Sequence, residues 1–192
     1  MRKNGLLLAA ALAAFAAPAQ AIPVKYTFEP NHTYVGWTAS HFGFSNASGK
    51  FVDVGGTLML DEQLPQNSSV EATIRINSLV TGLPKFDEHL KSDDFFKAAK
   101  FPEAAFKSKK VELTGKDAAK VTGDFTMLGI TREVVLDVKL NKIGNSIMGN
   151  KKMAGFSATA TIQRSVFGMQ YGIPGVGDAI PITIEAEAQL AE

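Results

Sequence analysis

The residues best suited to chemistry are the three histidines, His32, His41 and His89. They lie far apart, with no HExxH and no Cys/His pattern, so their spacing offers no metal-ligand set. Only His89 has acidic neighbours, in Asp87-Glu88-His89. A carboxylate beside an imidazole could move a proton. The same cluster serves equally well as a local hydrogen-bond or ion-pair network. Gly43-Phe44-Ser45-Asn46-Ala47 begins like a nucleophile elbow, but it lacks the final glycine and lies between two strand patterns. GIPGVG at 172–177 opens no helix, so it reads as a rim loop rather than a phosphate loop. No catalytic residue, metal site or bound cofactor emerges from these patterns.

The elements that would hold such residues are nearly all strands. At 70–77, Val70, Ala72, Ile74 and Ile76 alternate with Glu71, Thr73, Arg75 and Asn77, a clean period of two. The same period recurs at 24–29, 33–42, 119–128, 134–140, 156–163 and 182–190. About eight such strands, joined by short polar connections, predict an all-β antiparallel architecture. Gly55-Gly56 inside the 50–61 strand predicts a bulge or sharp bend, and 43–49 reads as a turn region. At 104–114 the apolar parity switches near Lys109, which predicts a bulge.

One segment breaks the pattern. Residues 81–108 hold two short helix-like pieces, 86–91 and 92–99, the second with Ser92 as N-cap and Asp93 and Asp94 in its first turn. Pro102 forbids continuation. Phe86, Leu90, Phe95, Phe96, Phe101 and Phe106 on this insert need a surface to pack on. It reads either as a plug at one end of a barrel or as a lid over a cavity.

The start of the chain is a targeting segment. Arg2 and Lys3 precede an apolar run at 5–17, and Ala19-Gln20-Ala21 is a small-x-small cleavage site. The run is short for a membrane span. Residues 1–21 are therefore expected to be a signal peptide, and 22–192 one domain in the periplasm. The exported chain has no cysteine, so packing and hydrogen bonds alone stabilise it. The formal net charge of +1 drops slightly below zero without Arg2 and Lys3, and no basic stripe suggests nucleic acid.

A sheet apolar on one face must meet a second sheet or close on itself. The expected inner faces hold many small residues: Ala39, Ala72, Gly123, Ala158, Ala160, Ala186 and Ala188. In an eight-stranded barrel these leave room for a ligand; between two flat sheets they let backbones approach closely. Both readings fit the pattern. A cavity so lined would take an elongated apolar molecule.

With these residues set out, the chain resembles the YceI-like family of periplasmic lipid- and polyisoprenoid-binding proteins. The resemblance rests on His32-Thr33, His41-Phe42-Gly43, Gly49-Lys50-Phe51, Ser78 and Thr81-Gly82. Its most specific stretch runs from Asp87-Glu88-His89-Leu90-Lys91-Ser92-Asp93-Asp94-Phe95-Phe96 to Phe101-Pro102 and Phe106-Lys107-Ser108. Gly123-Asp124-Phe125-Thr126, Gly129-Ile130-Thr131, Ala154-Gly155-Phe156, Arg164-Ser165 and Phe167-Gly168 extend it. The family usually has Arg directly before the Asp of the insert motif; here Phe86 stands there, so a polar contact from that place does not carry over.

The resemblance implies a lipocalin-like, eight-stranded antiparallel barrel with a short helical insert and a hydrophobic tunnel. It also implies an isoprenoid-tailed lipid, a quinone-like lipid or a fatty acid derivative as ligand. Trp37, Phe51, Phe106, Phe125, Met127 and Phe156 would then line the tail, and Phe95 and Phe96 would bear on the tunnel mouth. Oligomeric state stays open, a homodimer included. Two rivals stand beside this reading. One is an enzyme acting on a lipid head group through His89 and Asp87. The other is a stress-related barrel used as an interaction surface.

Overall fold

The computed structural model describes residues 22–192. Among them are eleven strand segments: β1 (Val24–Phe28), β2 (Tyr34–His41), β3 (Ser45–Phe51), β4 (Val54–Leu60), β5 (Ser69–Arg75), β6 (Leu79–Val80), β7 (Glu103–Gly115), β8 (Ala118–Met127), β9 (Ile130–Asn145), β10 (Lys152–Gln163) and β11 (Ala179–Leu190). One α-helix, α1 (Pro84–Lys91), lies between β6 and β7. Pairing runs β1–β4–β5–β7–β8–β9–β10–β11 and returns from β11 to β1, so the sheet closes. Every pair is antiparallel.

The first three of the eight barrel strands are each broken in two. β1 gives way to β2 across Pro30, which has no N–H for the ladder. β3 gives way to β4 at Val52 and Asp53, and β5 to β6 across a 3-10 turn, Ile76–Ser78. The breaks lie side by side: the Asp53 carbonyl accepts from the Arg75 N–H at 3.0 Å, and that of Pro102 from the Ile76 N–H at 2.9 Å. β11 runs unbroken past them, pairing with β2 through residues 182–185 and with β1 through 188–190.

Alternation decides which face is inside, and the structure departs from the sequence expectation in four places. The parity switch near Lys109 is a register shift between Ser108 and Lys110, as expected. Gly55-Gly56 carries no bulge, because the β4–β5 register runs unshifted from Val54↔Ile74 to Met59↔Ser69. Gly56 instead permits close approach, since a Cβ there would lie 2.2 Å from the Glu71 carbonyl oxygen and 3.0 Å from the Phe28 ring. Residues 45–49 are strand rather than turn, because the Trp37 indole lies over Gly49, 2.6 Å from where its Cβ would be. The third departure is a pair of unforeseen shifts: one at Gly155/Phe156 makes Asn141 an extra residue in β9, and one between Leu113 and Gly115 makes Thr114 extra in β7.

The fourth departure is the insert. α1 forms as expected, opened by Pro84, whose fixed φ suits a first helical position. Residues 92–99 are turns, not a second helix. Ser92 closes α1 instead of capping a new helix: its backbone N–H (3.1 Å) and its hydroxyl (2.7 Å) both donate to the His89 carbonyl. Lys97 then takes a left-handed conformation, φ 49°, which no α-helix accommodates. Asp87 pins the insert by accepting from the Thr81 N–H at 2.8 Å and the Thr81 hydroxyl at 2.5 Å. Leu90, Phe95 and Ala98 are buried in the main apolar cluster, with Phe86, Phe96 and Phe101 packed against it.

The alternation of up and down strands sorts the connections between two ends. Residues 42–44, 81–102, 128–129 and 164–178 gather at the insert end. Residues 61–68, 116–117 and 146–151 gather at the far end.

Candidate functional site: an apolar tunnel

The inward side chains do not fill the barrel. They enclose a cavity of about 800 Å³ reaching from the insert end to the far end. All eight residues expected on the tunnel stand on its wall: Trp37, Phe51, Phe95, Phe96, Phe106, Phe125, Met127 and Phe156. Period two places the six on strands, because each strand sends alternate side chains inward; the turns after α1 bring in Phe95 and Phe96. The wall also includes Val134, Leu136, Val138 and Leu140 of β9 and Ile180, Ile182 and Ile184 of β11. The alternation of both strands marks these residues.

Small side chains make the space only in part. Ala39, Ala72, Ala158 and Ala186 line the cavity. Gly123 does not enlarge it, because the Phe106 ring occupies the place its Cβ would take, 2.4 Å away. Ala188 is fully buried in a second cluster with Tyr26, Leu58, Leu60 and Ala154. The Trp37 indole N–H is buried and has no acceptor among the described residues, so the tryptophan serves the wall chiefly as an apolar plate.

The two ends carry different side chains. At the insert end Phe95 is only 8% exposed and packs as part of a plug, while Phe42 and Tyr171 line the cavity there at 59% and 50% exposed. His89, Phe95 and Tyr171 meet edge to face, with centroids 5.1, 5.2 and 5.5 Å apart, tying the insert to residues 164–178. At the far end Leu113 lines the cavity and is 51% exposed, so the lining reaches exposed side chains at both ends. The charged residues at the far rim are Asp61, Glu62, Lys116 and Asp117, with Ser68 and Ser69 beside them.

The head-group enzyme reading needs Asp87 and His89 to work as a pair, and they have different partners. Asp87 holds Thr81, whereas His89 Nε2 lies 3.1 Å from Asp94 Oδ2. His41 is on the cavity wall at the insert end. His32 lies outside the cavity at the β1–β2 break, with Nδ1 2.7 Å from Glu29 Oε2 and 4.0 Å from Glu187 Oε2.

Sequence reasoning gave Arg164 no role of its own. It is 3% exposed and also lines the cavity. Its Nε donates to the Gly177 carbonyl (2.8 Å), Nη1 to Met169 (3.1 Å) and Nη2 to Val176 (3.0 Å). Burial pulls its pKa below the ordinary value, and the Asp178 carboxylate offsets part of this. The guanidinium therefore staples residues 164–178 over the insert end. A lone arginine in a Gly-rich stretch carries no local signal for that task.

At the far end Asp61 is buried and accepts from the N–H groups of Leu64 (2.8 Å) and Gln63 (3.0 Å) and from the Asn67 amide (3.3 Å). The Leu64 hydrogen bond is the main cause of its lowered pKa, against an opposing effect of burial. Burial raises the pKa of the Tyr26 phenol, Lys152 opposes the rise, and Glu62, at 3.4 Å from the phenol oxygen, adds to it.

The model of the YceI-like domain matches residues 26–188. A UPF0312 protein of Pseudomonas savastanoi pv. phaseolicola is 35% identical over 172 residues, 88% of this chain and 89% of its own length. The solved YCEI protein of Campylobacter jejuni is 31% identical, with a TM-score of 0.69 over 78% of this chain and 88% of that one. A polyisoprenoid binding domain from Saccharophagus degradans shares the fold at 11% identity, with a TM-score of 0.68 over 88% of this chain and 99% of that one. A closed eight-stranded barrel, a plugging insert and a sequence match spanning both place this chain in the YceI-like domain family.

Proposed function

We propose that this chain is a periplasmic carrier that holds an isoprenoid-tailed or other long-chain amphiphilic lipid in its barrel. The observation that carries the reading is the end-to-end apolar tunnel. An unfilled apolar space of this size weakens the fold, and a flexible hydrocarbon tail matches its apolar lining. The polyisoprenoid binding named for the Saccharophagus degradans domain supports the ligand class. The wall residues from Trp37 to Phe156 would contact the tail, and Phe95 and Phe96 would meet it at the insert end. Residues 1–21 lie outside the described residues; their composition supports export and a mature start at Ile22.

Native mass spectrometry on protein purified from the periplasm of its natural host tests the proposal. The expected result is a processed chain carrying a non-covalent lipid adduct that collisional activation releases. An empty protein whose melting temperature no long-chain lipid raises would refute it, because a ligand that binds only the native state must stabilise that state.

A further inference from the structure

One feature outside the tunnel is left without a role by the carrier reading: the hairpin at the far end. β8 begins at Ala118, paired with Lys139, so β9 runs past it and pairs only with β10 through residues 142–145. The β9–β10 hairpin thus projects beyond the β7–β8 turn as an arm. Its tip is braced by its own hydrogen bonds, Ser146 N–H to the Lys151 carbonyl (2.8 Å), Met148 N–H to the Ser146 hydroxyl (3.1 Å) and the Asn145 amide to Asn150 (3.1 Å). That braced turn presents Ile147 and Met148 to solvent, 100% and 84% exposed.

Along the projecting arm itself every charge is positive. Residues 139–152 contain Lys139, Lys142, Lys151 and Lys152 and no acidic residue, and none occurs between Asp137 and Asp178. Lys152 pairs with Glu62, and Lys151 lies 3.9 Å from Glu192. The inner face of the same arm belongs to the tunnel, since Leu140 and Ile143 line the cavity.

We propose that this arm docks the barrel on an anionic phospholipid surface. Ile147 and Met148 enter the interface and the lysines face the head groups. An apolar tip on an arm that carries Lys139 and Lys142, with Lys151 and Lys152 held by exposed glutamates, suits an anionic bilayer, and it would set the far end of the tunnel against the membrane. The purpose of the docking rests on the carrier reading; the docking itself does not.

Co-sedimentation of the full mature chain with vesicles separates the two. Vesicles of equal parts phosphatidylglycerol and phosphatidylcholine should bind the protein, and binding should weaken with added salt. Vesicles of phosphatidylcholine alone should bind it far less. Ile147→Ser with Met148→Ser, and separately Lys142→Glu with Lys151→Glu, should each lower partition by about tenfold. Unchanged circular dichroism and melting temperature would show that both variants fold. No binding to the anionic vesicles, equal binding to both vesicle types, or parental binding by both folded variants would overturn the inference. Docking by a protein whose barrel holds no lipid would leave the inference standing and count against the carrier reading instead.

Discussion

Arg164 and Asp61 show how single polar side chains hold the connections at the two ends of the barrel. Arg164→Met would leave three backbone carbonyls without their donor, at a cost of about 3 kcal/mol, measurable as a lower urea midpoint. Arg164→Lys should recover less than half of this, because an ammonium cannot reproduce the planar three-way fork. Asp61 predicts a pH effect of definite sign. Its native pKa is depressed, whereas in the unfolded chain it titrates near about 4. Its contribution is therefore fully present above about pH 4 and is lost as the pH falls through the lower native value. Asp61→Asn should lower stability at neutral pH and flatten the acid limb of the urea midpoint against pH. An acid limb as steep as that of the parent would exclude this role.

Helix α1 and the turns after it depend on Asp87, whose single oxygen takes both donors of Thr81. Asp87→Ala should loosen the plug without unfolding the barrel. Amide exchange across 84–101 should quicken by about tenfold while β8 to β11 stay protected; uniform exchange across the barrel would contradict a local role. The strands were legible in the sequence because one-sided burial imposes a period of two, as in Val70 to Ile76. The bulge at Lys109 was legible for the same reason. Residues 92–99 were misread because Ser92, an ordinary N-cap type, here closes the helix before it, and because no local rule foretells a left-handed Lys97. Residues 45–49 were misread because the partner that makes Gly49 acceptable in a strand is Trp37, which lies across the sheet. The β9 bulge at Asn141 leaves the same kind of mark as that at Lys109, a switch of apolar parity from Leu140 to Ile143, both on the cavity wall.

The tunnel belongs to the whole barrel, and the sequence reached it only as one of two readings. Ala39, Ala72, Ala158 and Ala186 suit a cavity or a tight sheet contact equally well until closure from β11 to β1 decides between them. Volume gives the direct test. Ala158→Phe adds a ring to the wall opposite no partner of its own, so the fold should survive with its melting temperature no lower. Bound lipid, counted by native mass spectrometry, should fall by at least about half as the tail loses its path; full occupancy would show that the cavity is not the seat of the ligand. The three interrupted strands, side by side on one wall and faced by five continuous ones, have a mechanical consequence. The ladder is discontinuous along that flank and continuous on the other, so the tube should bend there first, as card folds along a score line, while β11 spans the break by pairing with both β1 and β2.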